Sequence, residues 1–371
     1  MSLSFSSRIE TFRSRMAAFD VDAMMVLVEE NRRYLSGFTG EDNGYDESAG
    51  ALFITKDKLL LATDSRFVFQ AEVEAPDYEV YCYKKGLAAE LPEILSRLSA
   101  RRLGFEPARL SVKDHERMTE FLGKAQASLQ LAPIHDLVES LRVIKDENEI
   151  RTMREALGIT EKALQMLLSD LVPGMSEKKA AWLLEQKLRD LGAEGLSFPS
   201  IVAGGVNAAK PHAHPSENLF TEKAPVLFDW GIKLQGYCSD ITRTFFLGKP
   251  DTRFMPLFDV VKTAQQRAIA AIRDGVSTKE IDALARDYIA EKGYGAFFGH
   301  GLGHGVGLAI HEAPRLGPLQ DIPLKSGMVV TVEPGIYLPE WGGIRLENMV
   351  VVREEGPEIL NTTTVEDFLP L

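Results

Sequence analysis

Two stretches of the chain resemble one another at a separation of 101 residues. Pro173-Gly174-Met175-Ser176-Glu177-Lys178 is matched by Asp274-Gly275-Val276-Ser277-Thr278-Lys279. An apolar helical segment precedes each stretch and another follows it, and the second helices stop at Gly192 and Gly293, again in one register. Gly-x-Ser ahead of a helix is a common start signal, so two coincident starts are one reading. The other is an internal duplication of a helix–helix–strand unit. After each copy the sequence turns β-rich, at 198–203 and again from Gly299. Two such halves would pack strand against strand and leave a cleft between them, where binding sites often lie. Ser277 with Glu280 predicts a capping box at the second copy.

A chain of 371 residues is too long for one ordinary core and fits two domains. The first third alternates helix and strand. Ile9, Phe12, Met16 and Phe19 keep helical spacing, 23–28 reads as a buried strand, and 51–54 with 58–62 reads as a hairpin turning at 55–57. Helical candidates follow at 67–74 and 87–98, which makes a compact α/β unit ending near residue 130. Asp146 and Glu149 then form a capping pair ahead of a long helix carrying Ile150, Met153 and Leu157 on one face. The division expected is 1–132 and 133–371.

The net charge of -12 argues against nucleic acid or an anionic membrane as the main partner. Cys82 and Cys238 lie too far apart for a disulfide framework, so a reducing compartment is expected. The N-terminal residues lack an apolar core of signal-peptide length. Apolar runs such as 23–28 fall far short of the ~20 residues that span a bilayer. The expectation is a soluble, cytoplasmic protein.

Four acids interrupt apolar β-type sequence. Asp229 ends the run Val226-Leu227-Phe228, and Asp240 lies eleven residues later, past a turn containing Gly236. A strand–turn–strand hairpin over 226–248 would bring the two carboxylates near each other, where burial and repulsion demand a proton, an ion pair or a cation. Arg243 close by keeps a structural role for the pair open. Glu333 closes one apolar strand before Pro334-Gly335, and Glu347 sits inside the next with Arg345 on its face. Each of these, taken singly, is as readily a salt bridge as a ligand. Five of the seven histidines fall in two short stretches, His212 with His214, and His300, His304 and His311 in a glycine-rich segment. Those glycines permit close approach of backbone to a ligand, and a phosphate loop is excluded because no Lys-Ser/Thr follows them. Four strand-borne acids and one imidazole fit a site for two divalent cations. Hard oxygen donors suit Mn, Co, Fe or Zn, and such a pair lowers the pKa of a shared water toward neutrality.

The motifs at 229–248, 300–312, 333–337 and 343–347 resemble those of the proline-specific pita-bread metallopeptidases, the group of aminopeptidase P and prolidase. NRRYLSGF at 31–38 and TDSRF at 63–67 are similar to that family's creatinase-type N-terminal domain. The resemblance implies an α/β N-terminal domain and an α+β pita-bread C-terminal domain with an internal pseudo-two-fold repeat. It further implies that Asp229 chelates one metal, that Asp240 and Glu347 bridge two, and that His304 is the imidazole ligand. Glu333 would bind metal and serve as general base. His212 would contact substrate, His311 would steady the tetrahedral intermediate and also contact substrate, and Arg345 would orient the carboxylates or the substrate. His214 and His300 receive no more than a neighbouring or structural part. Mn or Co is the expected metal pair, with Zn or Fe next. The implied reaction is removal of the residue before a proline by an aminopeptidase acting on short peptides. Alternatives are an Xaa-Pro dipeptidase and a non-peptide amide hydrolase of the same fold. A homodimer is implied too. Asn348 departs from the pattern, standing where many relatives carry Asp, which predicts altered surroundings for Glu347 rather than lost activity. All five ligand positions are present, which argues against a metal-free scaffold.

Overall fold

The structure is a computed structural model describing residues 5–42, 44, 47–125 and 129–365. The chain divides into two compact units, residues 2–142 and 143–371.

Apolar runs without polar alternation, the mark of strands covered on both faces, build the first unit. Strands β1 (Ala23–Val26), β2 (Ala51–Thr55), β3 (Leu59–Thr63), β4 (Glu79–Cys82), β5 (Arg102–Phe105) and β6 (Gln130–Pro133) form one sheet, ordered β4-β3-β2-β1-β5-β6. The hairpin β2–β3 and the pair β1–β2 are antiparallel, and the outer pairs are parallel. Helices α1 (Phe5–Met16), α2 (Glu29–Ser36), α3 (Val68–Glu74), α4 (Leu87–Leu98), α5 (Val112–Ala125) and α6 (Glu139–Arg142) complete the unit. In α4 the buried residues Leu91, Ile94, Leu95 and Leu98 recur at three and four, one face of a helix. Arg32, from the NRRYLSGF stretch, is fully buried and pairs with Asp42 at 2.7 Å.

The second unit opens as expected. Asp146 and Glu149 close a capping box on α7 (Glu147–Leu168), and Ser176 caps α8 (Glu177–Asp190). Six strands follow: β7 (Gly195–Leu196), β8 (Ile201–Gly204), β9 (Pro225–Trp230), β10 (Ile232–Leu234), β11 (Tyr237–Cys238) and β12 (Ile241–Phe246). Then come α9 (Phe254–Ala271) and α10 (Thr278–Glu291). The remaining strands are β13 (Gly303–Gly305), β14 (Glu312–Leu316), β15 (Val329–Val332), β16 (Gly335–Leu338), β17 (Gly342–Arg345), β18 (Asn348–Val352) and β19 (Pro357–Ile359).

The duplication is visible bond by bond. Helices α8 and α10 are each 14 residues long. In the first copy Gly174 donates to Phe220 O at 2.8 Å and Phe220 donates to Met175 O at 2.9 Å. In the second, Gly275 donates to Leu324 O and Leu324 to Val276 O, both at 2.8 Å. Gly174 (φ 90) and Gly275 (φ 85) share the left-handed conformation that favours glycine. The α+β architecture with an internal pseudo-two-fold repeat is therefore the observed one. One cap differs from expectation: Ser277 accepts the Lys279 amide and turns its hydroxyl to Asp321, a simple N-cap in place of a box with Glu280.

Segment 226–248 is more elaborate than one hairpin. β9 and β12 pair antiparallel with Asp229 opposite Thr242, so Asp240 stands just beyond the last pair, Trp230 with Ile241. Chain direction breaks at Gly231, where a Cβ would lie 1.9 Å from Ser239 O. A second, shorter hairpin β10–β11 then turns on Gln235 (φ 48) and Gly236 (φ 77), both left-handed as a two-residue turn requires. Among the described residues no helix is long and apolar enough to cross a membrane.

Candidate metal centre

Each acid is delivered by a strand end held rigid by a packed core. Asp229 rides on β9 between buried Phe228 and Trp230, and Asp240 leads into β12. Glu333 follows β15. Glu347, which the sequence pattern puts inside a strand, occupies the junction between β17 and β18. There its carbonyl accepts from buried Arg243 at 2.5 Å, which lets the side chain leave the sheet register and face Asp240. His304 comes from β13, laid against β15 because Gly303 brings backbone onto backbone. A Cβ at Gly303 would sit 2.0 Å from Thr331 O. Gly303→Ala should therefore displace His304 and cost about 1–3 kcal/mol or more through overpacking; thermal melts together with metal titration check this.

Asp240, His304 and Glu347 offer ligand atoms that all lie within 4.8 Å of one another. His304 Nε2 is 3.6 Å from Asp240 Oδ2 and 3.3 Å from Glu333 Oε1. These are not ion pairs. Burial pushes the His304 imidazole down to about 4, so it is neutral near pH 7. Its Nδ1 proton goes to Gly305 O at 3.0 Å, which leaves Nε2 bare and aimed at carboxylate oxygens. Burial, then Glu347, Asp229 and Glu333, hold the Asp240 carboxyl well above its ordinary range. Glu347 is raised in the same way, and Glu333 is pushed up to about 7, burial again coming first. Lone pairs facing lone pairs in a buried site repel unless a cation stands between them.

Asp229 makes the same point. One of its oxygens accepts from Arg345 Nη2 at 2.5 Å, while Oδ1 is buried without a hydrogen-bond partner. The donor set is carboxylate oxygens with one neutral imidazole, and it includes a buried oxygen without a partner. These residues fit divalent metal.

Around the cluster runs a hydrogen-bonded frame, of which the sequence points to Arg345 alone. Arg345 donates to Asp229, to Thr242 Oγ1 at 3.1 Å and to the Tyr337 hydroxyl at 2.8 Å. Thr242 in turn donates to Glu347 Oε2 at 2.7 Å. Tyr337 O–H donates to His300 Nε2 at 2.9 Å, since His300 Nδ1 is committed to Gly301 O and burial pushes that imidazole down to about 4. His300 thus belongs to the frame. A buried Tyr needs a partner for its hydroxyl, and that was the available signal at Tyr337. Thr331 accepts the His304 amide and donates to Glu333, both at 3.0 Å. Asn348 lies beside Glu347 with its side-chain oxygen buried and unpartnered.

The acids open into a cleft of about 340 Å³, which His212, His214, His300, His311 and Arg315 also line, with Phe198, Ile201 and Ile310 as its apolar side. His212 and His311 are exposed to it, and the rings of His304 and His311 lie 4.4 Å apart, edge to face. Burial, then Arg315, lower the His311 imidazole, which leaves it a neutral donor. Arg315 also escaped sequence reading. It lies directly across from His304 on β14, and among the described residues its guanidinium has no hydrogen-bond partner.

Residues 151–354 match the family described as Metallopeptidase family M24. The chain belongs to it. Residues 8–144 match the Creatinase/Prolidase N-terminal domain, so this metallopeptidase joins that module to the pita-bread catalytic fold. An uncharacterized peptidase of Bacillus subtilis is 38% identical over 349 residues, covering 94% of this chain and 96% of that one. The solved Xaa-Pro dipeptidase from Bacillus anthracis superposes with a TM-score of 0.90 at 38% identity, covering 97% of this chain and 98% of that chain. The X-Pro aminopeptidase from Thermotoga maritima superposes with a TM-score of 0.85 at 36% identity, covering 96% and 99%.

Proposed function

We propose that this M24 metallopeptidase hydrolyses Xaa-Pro dipeptides in the cytoplasm, with Asp229, Asp240, His304, Glu333 and Glu347 holding two divalent cations, Mn or Co first. When bound, the cations supply Lewis acidity and an activated water. Glu333, pushed up to about 7 and anchored by Thr331, is placed to take the proton of the attacking water. His212 and His311 stand at the cleft as donors toward the developing oxyanion, His311 in the neutral form that burial favours, an effect of order 10²–10³ in rate at analogous sites. Arg345 keeps Asp229 oriented and stays out of the reaction.

The observation that carries the dipeptide reading is Arg315. A partnerless guanidinium lining a cleft of about 340 Å³ is a receptor for a carboxylate. In a dipeptide the free carboxylate lies one residue beyond the scissile bond, within reach of a group paired in register with His304. An aminopeptidase acting on longer peptides has no such charge there to bind. The cleft volume sits at the small end of ligand pockets. The relatives include both activities, and Arg315 moves the reading from the aminopeptidase to the dipeptidase.

Kinetics on Xaa-Pro, its C-terminal amide and Xaa-Pro-Xaa, with metal supplied, test this. The dipeptide should be preferred, and Arg315→Ala should raise its KM by about tenfold to a hundredfold, the worth of a charged hydrogen bond, while leaving the amide unchanged. Faster cleavage of the tripeptide by the native enzyme would return the assignment to an aminopeptidase.

A further inference from the structure

His212 approaches the cleft on an irregular loop that follows β8. Residues 205–209 form a short 3-10 turn, and 210–218 have no regular structure. His212 is exposed, and its imidazole has no hydrogen bond among the described residues. Its position is therefore set by whatever holds the backbone of this loop.

The Glu177 and Lys178 amides donate to Asn218 O at 3.0 Å and Ser216 O at 3.1 Å, and four further bonds come from one side chain. Glu177, the first residue of α8, is completely buried. One carboxylate oxygen accepts the Gly204 amide at 2.8 Å, where the loop begins. The other accepts Asn207 Nδ2 at 2.8 Å, and the Ser216 amide and hydroxyl at 2.9 Å and 2.7 Å, where the loop ends. Asn207 extends the grip by donating to His214 O at 3.3 Å. No cation pairs with Glu177 among the described residues. Neutral donors and the positive end of the helix compensate its charge. From the other side, Arg345 donates to Pro211 O at 3.2 Å, which ties the same loop to the metal centre.

The second repeat uses the same position for the same purpose. Thr278, the equivalent first residue of α10, donates to Gln320 O at 3.0 Å and accepts the Ile322 amide at 3.1 Å. Gln320 Oε1 then accepts the Arg315 amide at 3.0 Å. In both halves, the start of the second helix fastens a segment that presents a cationic or imidazole group to the cleft. A carboxylate with four donors is far more than a helix start needs.

We propose that Glu177 is a positioning residue for His212, holding the loop so that the imidazole meets the substrate. The inference rests on the reading of His212 as a substrate contact. Glu177→Gln is nearly isosteric, but its amide nitrogen must face at least one N–H donor, so a tether is lost without opening a cavity.

The test is a double-mutant cycle on the metal-loaded full chain, assaying Ala-Pro cleavage and metal content for Glu177→Gln, Ser216→Ala, His212→Ala and the pairs with His212→Ala. Glu177→Gln should lower kcat/KM by about tenfold to a hundredfold, the scale of a misplaced contact group, with metal content unchanged. Ser216→Ala, which removes one tether, should lose roughly twofold to fivefold. In the His212→Ala background both further losses should shrink below about twofold. Losses of full size in that background, or a fall in metal content that accounts for them, would overturn the positioning role. Full activity of His212→Ala would remove the role of His212 itself and this inference with it, while metal-dependent turnover would stand. Should Glu177→Gln fail to fold, the Ser216→Ala cycle decides alone.

Discussion

Asp240→Asn and Glu347→Gln should each abolish turnover, a loss on the order of 10³ or more, since a metal centre lowers the barrier by several kcal/mol. Both should also bind less metal. The two carboxyls are buried and held above their ordinary range first by burial, then Asp240 by Glu347, Asp229 and Glu333, and Glu347 by Glu333 and Asp229. A second consequence separates a metal centre from a structural acid cluster. Removing one charge relieves repulsion only when nothing else neutralises it. Metal-free Asp240→Asn should therefore be more stable than metal-free native protein, while the metal-loaded native protein should be more stable than either. The sign follows from linkage: a buried acid whose folded pKa is raised weakens the fold increasingly as pH climbs from its unfolded value through its folded one, and asparagine has no such term. Thermal melts with and without metal, together with elemental analysis, decide the matter. Near-normal activity with full metal content in either variant would end that residue's assignment as a metal ligand.

Legibility in the sequence tracked sequence distance. The hairpin β2–β3, helix α4 and the Asp146–Glu149 capping box all rest on partners a few residues apart, and each lies where spacing predicts. The repeat was legible because two glycines with positive φ and two N-cap serines are local demands written twice. Carboxylates inside apolar runs were visible as anomalies for the same reason. What holds them was not. Thr242 meets Glu347 across 105 residues, and Arg345 meets Asp229 across 116. No periodicity reports contacts of that range. The apolar run 349–352 close behind Glu347 places it inside a strand by pattern, whereas it lies between β17 and β18 with its carbonyl bonded to Arg243. Arg315 gave no anomaly at all, since an arginine in exposed β-type sequence is ordinary until the cleft around it is seen. Glu177 stands out in the sequence only as part of a repeated hexapeptide, and its four donors arrive from 27 to 39 residues away.

Arg345→Met should have the opposite effect on the metal-free protein. Arg345 is enclosed within the centre, and its charge is held on by Tyr337, Asp229 and Glu333 against the burial that opposes it. Its guanidinium satisfies four acceptors at once: Asp229 Oδ2, Tyr337 Oη, Thr242 Oγ1 and Pro211 O. Methionine fills much of the same volume and satisfies none of them. Removing one partner of a buried charged pair costs roughly 3–5 kcal/mol, because the other is left uncompensated. The same substitution frees Asp229 to turn and loosens the loop carrying His212, so turnover should fall by at least about a hundredfold. Arg345→Lys should not restore it, since one ammonium cannot span acceptors that a planar fork reaches together. Metal-free melts thus move in opposite directions, up for Asp240→Asn and down for Arg345→Met, although both variants lose activity. A fold held merely by packing would shift little in either, and a centre whose acids were paired internally would fall in both. Only acids assembled to await cations, with one arginine holding Asp229 in place, produce opposite signs.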